Sequence, residues 1–430
     1  SWRLQYACPN IRGEAYTIYT NTPVGGAMRG YGIPQVCFAI ESFMDDVANE
    51  IHMDPLEFRR KNLIQGYYED AYLKPIAANT NGIFECLEKG AEYIHWDEKR
   101  KEYAEQAGDV RKGVGMALFS YKTGVWPISL EIAGARLSLN QDGSVQLMLG
   151  ATEIGQGADT VFSQMVAETL HTDMEHVHIK TVQDTDVSPF DTGAYASRQS
   201  FVTGTAVRHC AEILRDKILA YAKTLLPEID TRELTLKDNW IWAGDEQAIS
   251  LAALAEESYY SLTNSSVLTA EVSEQVKKNT IATGCCFAEV EVDIKLGKIK
   301  ILHIINVHDS GKLLNPQLAE MQVHGGMSMG MGYGISEQLI LDEKTGRPLN
   351  GNLLDYKLMT MLDTPDIKAD FVELCDPMGP YGNKALGEPP AIPCAPAIRN
   401  AVLHATGVAF YENPLTPQRL IDGFKKAGLI

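Results

Sequence analysis

One carboxylate in this chain stands where a proton-abstracting group needs to stand. The stretch Tyr381-Gly-Asn-Lys-Ala-Leu-Gly-Glu-Pro-Pro390 is a loop by composition, interrupted by Gly382 and Gly387 and closed by two prolines. Pro390 has no amide hydrogen, and Pro389 steers Glu388 away from helical backbone angles. Downstream, Pro396-Ala-Ile-Arg-Asn-Ala-Val-Leu-His-Ala405 carries apolar residues at helical spacing, with Pro396 suited to a first turn. The pattern predicts Glu388 on a rigid turn shortly before a helix, which is how a general base must be held. Taken alone, the same stretch also fits a surface loop acid.

Three further stretches bring glycines together with polar residues. Asn21-Thr-Pro-Val-Gly-Gly-Ala-Met-Arg-Gly-Tyr-Gly-Ile-Pro34 sets four glycines around Arg29 and Tyr31. Such a loop can carry amides and a planar guanidinium to a ligand, or be a turn whose arginine pairs locally. Gly150-Ala-Thr-Glu-Ile-Gly-Gln-Gly-Ala-Asp159 lies between a strand pattern and a helix pattern, where exposed amides and the positive helix end favour an anion. It matches neither the Walker A pattern nor the dinucleotide fingerprint. Asp184 to Gln199 is dense in turn formers and again precedes a helix pattern. A fourth segment, Asn315 to Gly334, reads as a capped helix with glycines at 325, 326, 330, 332 and 334. Each weakens a helix, so something must approach that backbone closely. His324 has no second ligand at helical spacing and reads as a packing or supporting histidine.

No His-x-x-x-His and no cysteine cluster supplies a side-chain site for a transition metal. Loops 25–32, 152–157 and 191–198, a glycine-rich helix and one pinned carboxylate instead suit a large, phosphate-bearing cofactor gripped by main-chain amides.

The chain has 430 residues and 45% hydrophobic residues, enough for two or more domains with real cores. A net charge of -18 argues against nucleic-acid backbone or an anionic membrane surface as partner. No apolar run of about 18 residues spans a bilayer. The eight cysteines include no Cys-x-x-Cys pair, and their scatter through apolar segments suits buried thiols in a reducing cytoplasm, with Cys285-Cys286 as packing. No signal peptide is read at Ser1, and the natural start is expected upstream.

The elements that must position these groups follow from periodicity. Gly13 to Thr20 alternates like a strand. A helix from Gln35 would bury Val36, Ile40, Phe43, Met44, Val47 and Ile51. Asp54-Pro55 caps another. Residues 63–110 are polar and irregular, a boundary. Strands are expected at 113–119, 135–139, 145–149 and 177–182, with helices at Thr160 to about Leu170 and about Gly204 to Leu225. Residues 226–280 read as accessory and partly helical, with a turn at Asn239 to Gly244. Cys286–Asp293 and Lys298–Val307 form the clearest hairpin. The class predicted is α+β: mixed sheets with packed helices.

Five motifs now stand in order: Gly26-Ala-Met-Arg-Gly-Tyr-Gly-Ile-Pro-Gln35, Thr152-Glu-Ile-Gly-Gln-Gly157, Asp191-Thr-Gly-Ala-Tyr-Ala-Ser-Arg198, Gln322-Val-His-Gly-Gly326 and Lys384-Ala-Leu-Gly-Glu-Pro-Pro390. Together they resemble the molybdenum-binding subunit of the xanthine dehydrogenase and aldehyde oxidase family, with the bacterial three-subunit xanthine dehydrogenases as the nearest flavour. The resemblance implies the C-terminal half of that elongated subunit: residues 1–65 as the end of a first molybdopterin-binding domain, 66–110 as a connecting segment and 111–430 as a second. It implies water-derived hydroxylation of an electron-poor carbon of a purine such as hypoxanthine or xanthine, hydride passing to a sulfido group on molybdenum. Glu388 matches the base. Arg29 and Tyr31 match residues near the substrate, and Trp126 supplies a second stacking face. Gly155, Gln156, Gly157, Ala194, Tyr195, Ala196, Ser197 and Gln322 match positions lining the pterin and its phosphate. No protein side chain ligates the metal, and the cytosine dinucleotide form of the cofactor is expected.

The family's N-terminal half normally supplies a Gly-Gly-Phe-Gly loop, a substrate-contacting glutamate and a further arginine, none of which is found here. The chain therefore reads as a fragment or as one half of a split subunit that does not turn over alone. The implied partners are that N-terminal half, a [2Fe-2S] subunit and a flavin (FAD) subunit. Nicotinate or an aldehyde as substrate, and a non-catalytic cofactor-binding scaffold, are the competing readings.

Overall fold

The structure is a computed structural model that describes residues 5–66, 68–69, 75–76, 79–180 and 183–430. Trp2 to Leu4 and the end of the strand expected at 177–182 lie outside the described residues.

In chain order the helices are α1 (Ile33–Glu50), α2 (Pro55–Asn62), α3 (Ile83–Ile94), α4 (Trp96–Glu102), α5 (Ala158–Leu170), α6 (Gly204–Leu225), α7 (Leu251–Tyr260), α8 (Pro316–Ile335), α9 (Cys394–Thr406) and α10 (Pro417–Lys426). The strands that build the larger sheets are β1 (Val110–Lys122), β2 (Ile132–Leu139), β3 (Val145–Leu149), β4 (Val177–Ile179), β5 (Leu234–Lys237), β6 (Trp240–Ala243), β7 (Glu246–Ser250), β8 (Thr269–Gln275), β9 (Ile281–Asp293), β10 (Lys298–Asp309) and β11 (Asp366–Phe371). The α+β class holds.

The described chain divides into two compact units, the first made of residues 1–122, 280–376 and 384–430, the second of 123–279 and 377–383. In the first unit the sheet order is β11-β10-β9-β1, antiparallel apart from the β10–β11 pair. Strand alternation gives that sheet two apolar faces. Val114, Met116, Leu118, Cys285 and Phe287 cluster with Leu87, Ile94 and Trp96 of α3 and α4. Ala117, Cys286, Ala288 and Val290 cluster with Val323, Met327 and Met331 of α8 and Ala397, Ile398 and Ala401 of α9. Cys285 and Cys286 thus face opposite layers, as packing thiols of a period-2 strand. Helix α9 lies so close that a Cβ on Gly115 would come within 2.1 Å of the Ala401 nitrogen, so glycine is required there.

The second unit holds a sheet ordered β8-β2-β3-β4, with β3 and β4 parallel, and a three-stranded sheet β5-β6-β7. Its apolar inner positions, such as Leu137, Leu147 and Val145, are fully buried, as are Leu214 and Ile218 of α6.

Several expectations fail for physical reasons. Gly13 to Thr20 is exposed and forms no strand, because a strand needs a ladder partner and none is present among the described residues. Helix α1 exists, but Val36, Phe43 and Ile51 are exposed, and the buried face carries Glu41, Ser42, Asp45 and Ala48. The reason is Arg59 of α2. Its Nε lies 2.8 Å from Glu41 and its Nη1 2.6 Å from Asp45, with arginine and both acids buried. A charge triad, invisible to apolar periodicity, sets the helix's rotation. Residues 83–102, expected inside an irregular connection, are α3 and α4 packed on the first unit's sheet. Residues 226–280 hold the expected helical part as α7 but also carry four strands, β5 to β8, and the turn expected at Asn239 to Gly244 is β6 flanked by turns with Asp238, Asn239 and Gly244 at positive φ. Two cysteines, Cys8 and Cys375, are exposed rather than buried, and all eight are free thiols.

Candidate functional site

In the first unit, Glu388 sits at the head of a 3-10 turn (Pro389–Ala391) and itself has φ -100 and ψ -35. The prolines did not push it out of the helical region, because its carbonyl accepts from the Ala391 amide and starts the turn. Its side chain is clamped from two sides: Oε1 accepts from the Gly30 amide at 3.3 Å, and Oε2 accepts from the Tyr121 hydroxyl. Glu388 as a whole is half-buried.

The loop that carries it is anchored at several points. Lys384 Nζ pairs with Asp309 at 2.8 Å, both side chains fully buried, and the Lys384 amide donates to the Ser310 carbonyl at 2.7 Å. Asp309 also accepts from the Gly82 amide at 2.8 Å. Ala385 packs with Phe119, Tyr121 and Ile392. The glycines of α8 meet their expected close approach here: a Cβ on Gly326 would sit 2.5 Å from Pro390 Cβ, and one on Gly330 would sit 2.7 Å from Cys394 Cβ.

Arg29 works as a strut in this arrangement. Its Nε donates to the Gly387 carbonyl at 2.5 Å, and its Nη2 donates to the Gln322 carbonyl at 2.8 Å and to Gln322 Oε1 at 3.3 Å. Burial pulls the guanidinium below its ordinary pKa, with Glu388 acting in the opposite sense. So the structure brings Arg29, Gln322 and Glu388 together. Tyr31 sits two residues beyond Arg29 at φ 46, between Gly30 (φ 98) and Gly32 (φ 80), and the residue is 73% exposed. These positive φ values reverse the chain so that the Gly30 amide faces Glu388 while the Tyr31 ring faces outward.

In the second unit the turn before α5 behaves differently from the reading of open amides. The amides of Gly155 and Gly157 donate to Glu153 Oε1 at 2.7 and 3.1 Å, and that of Asp159 to Oε2 at 3.0 Å. Gln156 points its Nε2 to the Thr152 carbonyl at 2.9 Å and to Gln199 Oε1 at 2.7 Å, tying this loop to the start of the segment leading into α6. Ala194 and Tyr195 are exposed, and Ala196 and Ser197 both stand at φ 50. Arg198 closes that loop from beneath. Fully buried, it reaches Glu131 and Asp191 at 2.5 Å each and the carbonyls of Gly193 and Ile132 at 3.0 and 2.8 Å. Trp126 is half-buried and belongs to this second unit, not to the one that holds Arg29 and Tyr31.

Sequence reasoning missed Tyr121, Arg198 and Glu131 as parts of the site. Arg198 stood inside a motif, beside small residues that cannot close a loop themselves. Tyr121 gave no local signal, because its partner lies 267 positions away.

The amides of Gly155, Gly157 and Asp159 serve Glu153, so what this turn offers a phosphate-bearing cofactor is space rather than open main-chain donors. Among the described residues no three His, Cys, Asp or Glu side chains gather as metal ligands. Gly155 at φ 98 has nothing within 4 Å of a Cβ position, leaving space at the turn beside the Gln156 amide.

Residues 2–63 and 89–365 match two models described as molybdopterin cofactor-binding domain. The chain belongs to the molybdopterin cofactor-binding family. Within that family it is 49% identical over 419 residues to a putative xanthine dehydrogenase molybdenum-binding subunit of Escherichia coli, covering 96% of this chain and 55% of the relative. It is 27% identical to the nicotine 6-hydroxylase large subunit of Paenarthrobacter nicotinovorans, covering 94% of this chain and 52% of that one. Quinoline 2-oxidoreductase from Pseudomonas putida 86 shares the fold, with TM-score 0.85 at 24% identity over 93% of this chain and 53% of that chain. This molybdopterin-binding chain thus spans about half the length of the curated relatives it matches. Among the described residues no helix is long and apolar enough to cross a membrane.

Proposed function

We propose that the chain is the C-terminal half of the molybdenum-binding subunit of a xanthine dehydrogenase-like hydroxylase acting on a purine such as hypoxanthine or xanthine. The observation that carries this reading is the clamped carboxylate of Glu388, held by the Gly30 amide and the Tyr121 hydroxyl. The 49% identity to a relative named as a xanthine dehydrogenase molybdenum-binding subunit supports the substrate class.

The molybdenum cofactor, in its cytosine dinucleotide form, supplies the two-electron chemistry of a water-derived hydroxylation. In the second unit Gly155, Gln156, Gly157, Ala194, Tyr195, Ala196 and Ser197 are the residues that would line its pterin and phosphate, without a side-chain ligand to the metal; in the first unit Gln322 is braced by Arg29. Glu388 takes the proton that the reaction releases, on an oxygen kept in place by two donors. Arg29 locks the Gly387 carbonyl and Gln322, so the base cannot swing. Tyr31 offers an exposed ring face to a heteroaromatic substrate. The partners are the N-terminal half of the subunit, a [2Fe-2S] subunit and an FAD subunit that drain electrons, in the cytoplasm.

Glu388→Gln in the assembled complex is expected to cut purine hydroxylation by about 10²–10⁴-fold, the usual reach of a general base. Unchanged steady-state hydroxylation would instead favour a cofactor-binding scaffold. The 430-residue chain alone is expected not to turn over, and purine hydroxylation by it with an artificial acceptor overturns that. Metal analysis of the complex reads molybdenum, and released CMP reads the dinucleotide. A second substrate reading, another N-heterocycle or an aldehyde, is favoured by the nicotine 6-hydroxylase relative and by a 28% identical relative named as an aldehyde oxidoreductase molybdenum-binding subunit. Comparing kcat/KM for xanthine, nicotinate and benzaldehyde decides between them.

A further inference from the structure

The turn between β3 and α5 has the shape of an anion-binding nest, and the anion in it is the chain's own. Oε1 of Glu153 takes the amides on both sides of Gln156, at 2.7 Å from Gly155 and 3.1 Å from Gly157. Oε2 takes the Asp159 amide at 3.0 Å. Burial would raise the Glu153 carboxyl, but the amides of Asp159, Gly157, Gly155 and Ala158 outweigh it and hold the group below the ordinary glutamate value. The carboxylate therefore satisfies the donors that a phosphate would otherwise use. Gln156, fixed between two captured amides, receives the Ile154 amide on Oε1 at 2.7 Å and aims Nε2 at Thr152 and Gln199.

We propose that Glu153 is a positioning residue: an internal anion that satisfies the α5 N-terminal amides itself and holds the loop carrying Gln156 in one conformation, so that the cofactor meets a preformed turn and does not have to supply the anion for those main-chain N–H groups. The inference rests on the cofactor-binding reading above and concerns how that reading is realised.

The test uses the assembled complex and reads bound molybdenum and released nucleotide per protein, not activity. Glu153→Ala is expected to lower both by roughly 10-fold, the scale on which orienting partners act. Sodium formate added during cofactor loading is expected to restore most of the loss by refilling the carboxylate position, and sodium chloride at equal ionic strength is not. Glu153→Gln, which keeps the shape and one acceptor but turns an N–H₂ on the amides, is expected to fold as the parent and to fall between the two. The proposal is overturned if Glu153→Gln loads like the parent, or if chloride restores a folded Glu153→Ala complex as well as formate does. A parent complex that carries neither molybdenum nor nucleotide defeats the cofactor reading itself, and is distinguished before any variant is compared.

Discussion

The Tyr121 hydroxyl donates to Oε2 of Glu388 from the last turnward residues of β1, across 267 positions of chain. The expected base is therefore held by the central sheet of the first unit and not by its own loop alone. A carboxylate that accepts from a hydroxyl and an amide has little freedom to rotate, which is what proton transfer at a fixed point requires.

Removing that hydroxyl tests the relationship. Tyr121→Phe in the assembled complex is expected to lower kcat by about 10-fold, the worth of one hydrogen bond to a charged group. KM should change little, because the lost contact is to the base and not to substrate. Steady-state kinetics on xanthine separate the two parameters.

The glycines of α8 give a paired prediction. Gly326→Ala places a Cβ 2.5 Å from Pro390 Cβ and is expected to cost about 1–3 kcal/mol while displacing the Glu388 turn. Gly325→Ala meets only Arg29 Nη1 at 3.5 Å and is expected to gain about 0.5–1 kcal/mol of helix stability. Urea denaturation of the two variants should show opposite signs.

Arg59 is buried between Glu41 and Asp45, and the Tyr6 hydroxyl and the Leu118 amide complete the acceptor positions of Glu41 at 2.7 and 3.0 Å. Arg59→Met leaves two buried acids without their cation and is expected to destabilise by about 3–5 kcal/mol. Adding Glu41→Gln and Asp45→Asn should recover part of the loss, measured by denaturant midpoint.

His308 gives the pH dependence. It is buried between Phe119 and Phe371, at ring distances of 5.0 and 6.2 Å, and neither ring nitrogen has a partner among the described residues. Burial, helped by the charge of Arg29, lowers its pKa from 6.5 to about 3. The unfolded chain then binds a proton that the folded chain refuses between those values. Stability is complete above about pH 6.5 and drains away as pH falls toward 3. His308→Phe removes that drain and is expected to shift the acid-unfolding midpoint to lower pH. Part of the slope will remain, because His404 is lowered to about 3 by burial in the same way. Circular dichroism across the acid range checks both statements.

The sequence by itself determined what neighbouring residues decide together. The hairpin Ile281–Asp293 with Lys298–Asp309, the capped α8, the helix Gly204–Leu225 and the loop carrying Glu388 were all legible, because periodicity, caps, glycine and proline act within a few positions. Only the tertiary structure decided which face of α1 goes inward, that Tyr121 and Gly30 hold Glu388, that Arg29 braces rather than dangles, and that Glu153 fills its own amide nest. Those outcomes depend on charges and hydroxyls finding partners whose positions are set by the folded backbone. A hydrogen bond between residues hundreds of positions apart leaves no trace in local pattern, since each side chain is compatible with exposure until burial removes water as its alternative partner.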